Sequence, residues 1–163
     1  MSKRIKHMTK ALLALLLAMV TANLPAATDP SLQTAEGDAW RFRVYLDDKE
    51  IGYHHFHLAG EGDTRQLHTK ANFEYRLLFV KLYEYEHENR EIWSGGCLQS
   101  IESRTDANGR VYAVDGRREP GLFRVNGGVG EAQLPECVMS FAYWNPAFLK
   151  QARLLNTQDG EFL

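Results

Sequence analysis

Two cysteines and five prolines are all that the 163 residues contain of either type, and no stretch of 18 apolar residues follows the N-terminal region. The last absence excludes a transmembrane helix in the body of the chain. With 44% hydrophobic and 25% charged residues and only 13 glycines, disorder, collagen-like repeats and a long coiled coil are excluded too. No acidic residue precedes Asp29. Catalytic signatures are equally scarce. Ser140 has no Gly-x-Ser-x-Gly elbow around it. Gly127-Gly128-Val129-Gly130 has no Lys-Ser/Thr after it and opens no helix, so it reads as a tight turn and not a phosphate loop. Neither cysteine lies in a Cys-x-x-Cys pair.

The N-terminus is what those absences leave conspicuous. Lys3, Arg4, Lys6 and Lys10 lead into a ten-residue apolar run at 11–20, and Val20-Thr21-Ala22 offers small residues to a signal peptidase. This pattern predicts a cleaved secretory signal over residues 1–22. No cysteine follows the run, which excludes a lipid-anchored N-terminus. Removal of the signal leaves 141 residues with 15 basic against 21 acidic side chains, a net charge of −6. A domain of that size buries about two-thirds of its unfolded surface, so no cofactor is expected for folding. Its acidity argues against nucleic acid or an anionic membrane as partner. A bacterial periplasm is the expected location. Cys97 and Cys137 suit such an oxidising space. A bridge between them would close 40 residues and contribute about 4 kcal/mol in the chain-entropy account. Two buried free thiols are the competing reading.

Along the chain the dominant period is two. Residues 23–38 are polar and proline-containing and are expected to form a flexible leader to one domain, 39–163. Trp40, Phe42, Val44 and Leu46 share one strand face; residues 51–58 form a second strand. Leu67, Thr69, Ala71, Phe73 and Tyr75 share a face of a third. Short turns between these strands predict an antiparallel meander. Leu77-Leu78-Phe79-Val80 is expected to be a bend or a buried corner. Beyond it Tyr83, Tyr85, His87 and Trp93 fall on one face, and Glu84, Glu86, Glu88 and Arg90 on the other. Residues 97–105 continue the pattern, Asn108-Gly109 signals a hairpin, and Asn126-Gly127-Gly128 signals another. Only once does the period change. Asn145 can cap a helix with Pro146 at its first position, and Phe148, Leu149, Ala152 and Leu155 then recur at helical spacing. Extended character returns at Glu161, and further strands are expected beyond Leu163.

Residues from Ala39 onward resemble a family of secreted bacterial proteins, the domain of unknown function family 6134. The resemblance is carried by Trp40, Ile51-Gly52, Gly96-Cys97-Leu98, Asn108-Gly109 and above all the run Ser140-Phe141-Ala142-Tyr143-Trp144-Asn145-Pro146. Leu154-Leu155-Asn156 and Gly160-Glu161 extend it. It implies a mainly β fold: one curved antiparallel sheet, open or half-barrel and similar to that of lipoprotein carriers, with one short C-terminal helix packed on it. It also implies a longer chain, so that this one reads as truncated at its C-terminus. No catalytic residue is implied.

Two clusters invite chemistry. On a strand, His55 and His57 point the same way and could hold a transition metal with ligands from a neighbouring strand, His68 among them in one of two registers. Glu84, Glu86 and Glu88 could hold a cation, but such a row is more often a solvated strand face. The leading functional expectation is a non-enzymatic periplasmic binding or envelope module. Its aromatic-rich sheet face would cradle an apolar small molecule such as a lipid or acyl chain. A hydrolase using His55 and His57 is one alternative. A structural partner of an envelope protein is the other.

Overall fold

The computed structural model describes residues 37–163. The expected signal at 1–22 and the leader at 23–36 lie outside the described residues; Gly37 and Asp38, placed in the leader by the sequence, begin the first strand. Eight strands follow in chain order: β1 (Gly37–Leu46), β2 (Lys49–Ala59), β3 (Thr64–Leu77), β4 (Val80–Ser94), β5 (Cys97–Ala107), β6 (Arg110–Glu119), β7 (Leu122–Gly127) and β8 (Gly130–Pro135). Each pairs antiparallel with the next, giving one sheet in the order β1 to β8 that does not close into a barrel. The turns explain this simplicity. Asp47 and Asp48, and Asn108 and Gly109, adopt paired positive φ angles, and such turns follow the twist of the strands they join.

Period two sorts the side chains as the sequence implies. Leu67, Thr69 and Ala71 of β3 are buried, as are His87, Asn89, Glu91 and Trp93 of β4. The residues between them point to the other face, which is half-buried or exposed. The buried side is here the inner face. A segment running from Glu136 to the C-terminus covers part of it. Leu98 N–H donates to the Val138 carbonyl at 3.0 Å and Leu155 N–H to the Met139 carbonyl at 2.8 Å. Val138, Met139, Ala142 and Leu155 from this segment pack with Trp93, Leu98, Ile101, Phe123 and Val125 from the sheet to form the core. Gly116 admits this packing because a Cβ there would stand 2.7 Å from the Phe123 ring and 2.9 Å from Ile101. Cys97 and Cys137 form a disulfide, Cα atoms 5.0 Å apart, which ties the start of β5 to the start of the covering segment.

Two local expectations change, and an open alternative is decided. The helix is a single 3-10 turn, Pro146–Lys150. Asn145 caps it as expected, its side-chain oxygen accepting from Ala147 N–H at 3.1 Å. It stops early because Leu155 is drawn out of helical register: it bridges Ser140 on one side and Phe162 on the other. Ala152 and Leu149 are therefore exposed while Leu155 is fully buried. Residues 161–163 do not begin a strand of the main sheet. They pair back on 154–156, with Leu163 N–H donating to the Leu154 carbonyl at 2.9 Å. Finally, of the two readings of Leu77-Leu78-Phe79-Val80 the bend holds and the buried corner does not: the segment is the turn of the β3–β4 hairpin. Leu78 and Phe79 are 86% and 97% exposed, because β3 and β4 extend past the covering segment and nothing described lies over their tip.

Candidate functional site

Registers place rows of side chains straight across the inner face. One row runs Phe42, His54, Ala71, His87, Thr105, Tyr112; the next runs Trp40, Phe56, Thr69, Asn89, Ser103, Val114. A third carries Leu58, Leu67, Glu91 and Ile101. The inner face is thus apolar toward the β4–β5 turn, aromatic toward the β3–β4 turn, and polar between. That polar band meets the edge of the covering segment, and there a groove of about 210 Å³ opens. Phe56, Phe73, Tyr85 and His87 contribute to its sheet side, Phe141 and Tyr143 stand over it, and residues 156–158 close one flank. Aromatic rings organise its walls: Phe73 stacks on Tyr85 at 5.4 Å between centroids, and Tyr143 meets Phe56 edge-on at 6.1 Å.

Below the aromatic walls lies a buried hydrogen-bonded chain. Asn89 Nδ2 donates to Glu91 Oε1 at 2.9 Å, and Trp93 Nε1 donates to Glu91 Oε2 at 2.8 Å. Ser140 of the covering segment also hydrogen-bonds this carboxyl. Glu91 is 2% exposed, and burial raises its pKa, favouring the neutral acid against the pull of its three partners. His87 Nδ1 lies 2.8 Å from Thr105 Oγ1, and its Nε2 lies 3.4 Å from Thr157 Oγ1. Burial, helped by the proximity of His54, holds the His87 pKa down at about 4. Burial also lowers His54, and it raises Tyr85 to about 12. Near neutral pH His54, His87 and Tyr85 therefore bring no charge to the groove.

Because His87 stays neutral where an unfolded histidine takes up a proton, its contribution to stability is fully present above about pH 6.5. That contribution is lost as the pH falls toward 4. The loss amounts to at most about 3 kcal/mol. In urea unfolding at pH 7 and pH 4.5, His87→Gln should be less acid-sensitive than the native chain; equal sensitivity would contradict the burial account.

The histidines singled out from the sequence sit elsewhere. His55 and His57 do share a face, but it is the outer one, because Phe56 and Leu58 take the inner positions of β2. His57 is directly opposite His68, the register that brings them together. His68 Nε2 is engaged by Glu88 Oε1 at 2.7 Å, and His55 stacks on Tyr53 at 4.5 Å. Among the described residues no group of three or more His, Cys, Asp or Glu side chains is placed to hold a metal ion. The acidic row is engaged by partners on β4 itself and on the neighbouring β3. Glu84 meets Lys81, Glu86 accepts from Asn72 at 3.1 Å, and Glu88 takes Arg90 at 2.6 Å as well as His68. Ser140 is buried against Glu91 and bridges Leu155 in place of facing a histidine.

Residues 42–163 match the family model described as Domain of unknown function (DUF6134). The chain belongs to this family. No curated protein and no solved structure matches it. The match spans all of β2 to β8 and the covering segment, so every groove residue lies within the DUF6134 domain. Among the described residues no helix of the DUF6134 chain is long and apolar enough to cross a membrane.

Sequence reasoning missed Asn89 and Glu91. The signal was available: period two through Tyr85, His87 and Trp93 passes through both. Two polar residues inside a run destined for burial are the mark of a built polar site, since each must be hydrogen-bonded there or destabilise the fold.

Proposed function

We propose that this DUF6134 protein is a non-enzymatic binding module of the bacterial periplasm, and that the inner-face groove holds a small, largely apolar ligand. One observation carries the reading: an aromatic-walled groove stands over a polar floor on a face that otherwise forms the core. Binding sites combine mostly apolar walls with a few placed polar groups, and this groove has that composition. The disulfide and the N-terminal pattern support an oxidising, extracytoplasmic location. The groove is short and suits a single ring or a short chain better than a whole lipid. Native mass spectrometry of protein recovered gently from a periplasmic extract tests this directly. A stoichiometric bound small molecule is expected, lost in Tyr143→Ala; a uniformly ligand-free mass would contradict the reading.

A further inference from the structure

Among the described residues two buried side-chain polar atoms have no hydrogen-bond partner: Asn89 Oδ1 and Trp144 Nε1. Asn89 is the more deeply buried, 3% exposed, and it lines the groove. Its Nδ2 is committed to Glu91, which orients the amide and leaves Oδ1 as an idle acceptor. A buried acceptor without a donor destabilises the protein that carries it, so such atoms in functional clefts mark where a ligand or water donates. No lysine or arginine lines the groove, and the one carboxyl there, Glu91, is taken up by Asn89, Trp93 and Ser140. A carboxylate or phosphate would enter without a counter-ion, and an ammonium group would find no free carboxylate.

We propose that Asn89 Oδ1 is the polar anchor of the groove and that its ligand is a neutral molecule presenting a hydroxyl or N–H donor from an apolar, ring-sized body. The inference rests on the groove being a ligand site and narrows what that ligand is: an alcohol, phenol or amide, and not a fatty-acid anion or a phosphorylated headgroup. Phe73, Tyr85 and Tyr143 supply flat surfaces for the body, and the neutral His87 and His54 add no charge to the walls.

Three probes of nearly one shape separate the possibilities at pH 7 by isothermal titration: 4-propylphenol, its methyl ether 4-propylanisole, and 4-propylbenzoate. The phenol donates, the ether only accepts, and the benzoate is anionic. The phenol is expected to bind about tenfold more tightly than either of the others, the scale of one well-placed hydrogen bond. Asn89→Leu should bring the phenol and the ether to equal affinity. Equal binding of the phenol and the ether by the native protein would overturn the anchor and leave the groove as an apolar site satisfied by water. Tightest binding of the benzoate would overturn the neutral-ligand assignment. If none of the three binds, the anchor falls together with the groove as a binding site. The comparison among probes needs only the native chain, so it stands even if Asn89→Leu fails to fold.

Discussion

Glu91→Leu should lower stability by about 4 kcal/mol, while Glu91→Gln should stay within about 1 kcal/mol of the native chain. The leucine removes the only groups that receive Asn89 Nδ2 and Trp93 Nε1, and it strands the Ser140 hydroxyl as well. Each stranded buried donor costs about 1–3 kcal/mol, which outweighs the apolar surface that leucine adds. Glutamine preserves shape and a carbonyl acceptor, and the Asn89 amide can turn its idle Oδ1 toward the new NH2 group. Losing the ionisable group costs little in this exchange, because burial raises the Glu91 pKa and disfavours its charged form. A raised carboxyl pKa means that the Glu91 contribution is fully present below its unfolded value of 4.5 and lost as pH rises through the folded value. Glu91→Gln should therefore gain on the native chain as the pH rises, in thermal melts taken from pH 4 to pH 8. If leucine and glutamine proved equally tolerated, the buried chain would not be what holds the covering segment down.

Loss of the disulfide should cost a similar amount, about 4 kcal/mol, in Cys97→Ala/Cys137→Ala or on reduction. The bridge closes a 40-residue loop that contains β5 to β8, so its removal chiefly frees the unfolded chain. The location of the bridge adds a functional consequence. Cys137 immediately precedes Val138, whose carbonyl takes Leu98 N–H, and Met139, which receives Leu155. Freed from β5, the covering segment should lift first, exposing Trp93 and Phe123. Chemical unfolding should give the stability change, and binding of a hydrophobic dye should rise before the main transition. A reduced protein that unfolds at the same denaturant concentration would contradict the role assigned to the bridge.

The strands were legible for a physical reason. On β4, Tyr83, Tyr85, His87 and Trp93 alternate with Glu84, Glu86, Glu88 and Arg90, and a side-chain period of two has no other solution than a strand with one buried face. Asn108-Gly109 was equally plain, because both residues accept the positive φ angles the hairpin needs. The tail was not legible. Phe148, Leu149 and Leu155 have helical spacing, but Leu155 gains more from full burial between Ser140 and Phe162 than from another helical turn. Such a choice depends on residues up to 15 positions away, which no local period records. His55 and His57 were read correctly as neighbours on one face. Which face was set by Phe56 and Leu58, whose burial claims the inner side of β2. The period of β4 also places Asn89 and Glu91 on the buried face, but it does not say what satisfies them there; their partners do.

Central to this account is that ligand binds on the inner face, between β2–β4 and the covering segment, and not on the histidine-bearing outer face. Aromatic proton–carbon NMR spectra recorded during addition of 4-propylphenol test it most directly. Resonances of Phe56, Phe73, Tyr85 and Tyr143 should shift together and saturate, while those of Tyr53, His55 and His57 stay in place. Shifts confined to Tyr53, His55 and His57, or no saturable shift at the inner-face rings, would contradict it.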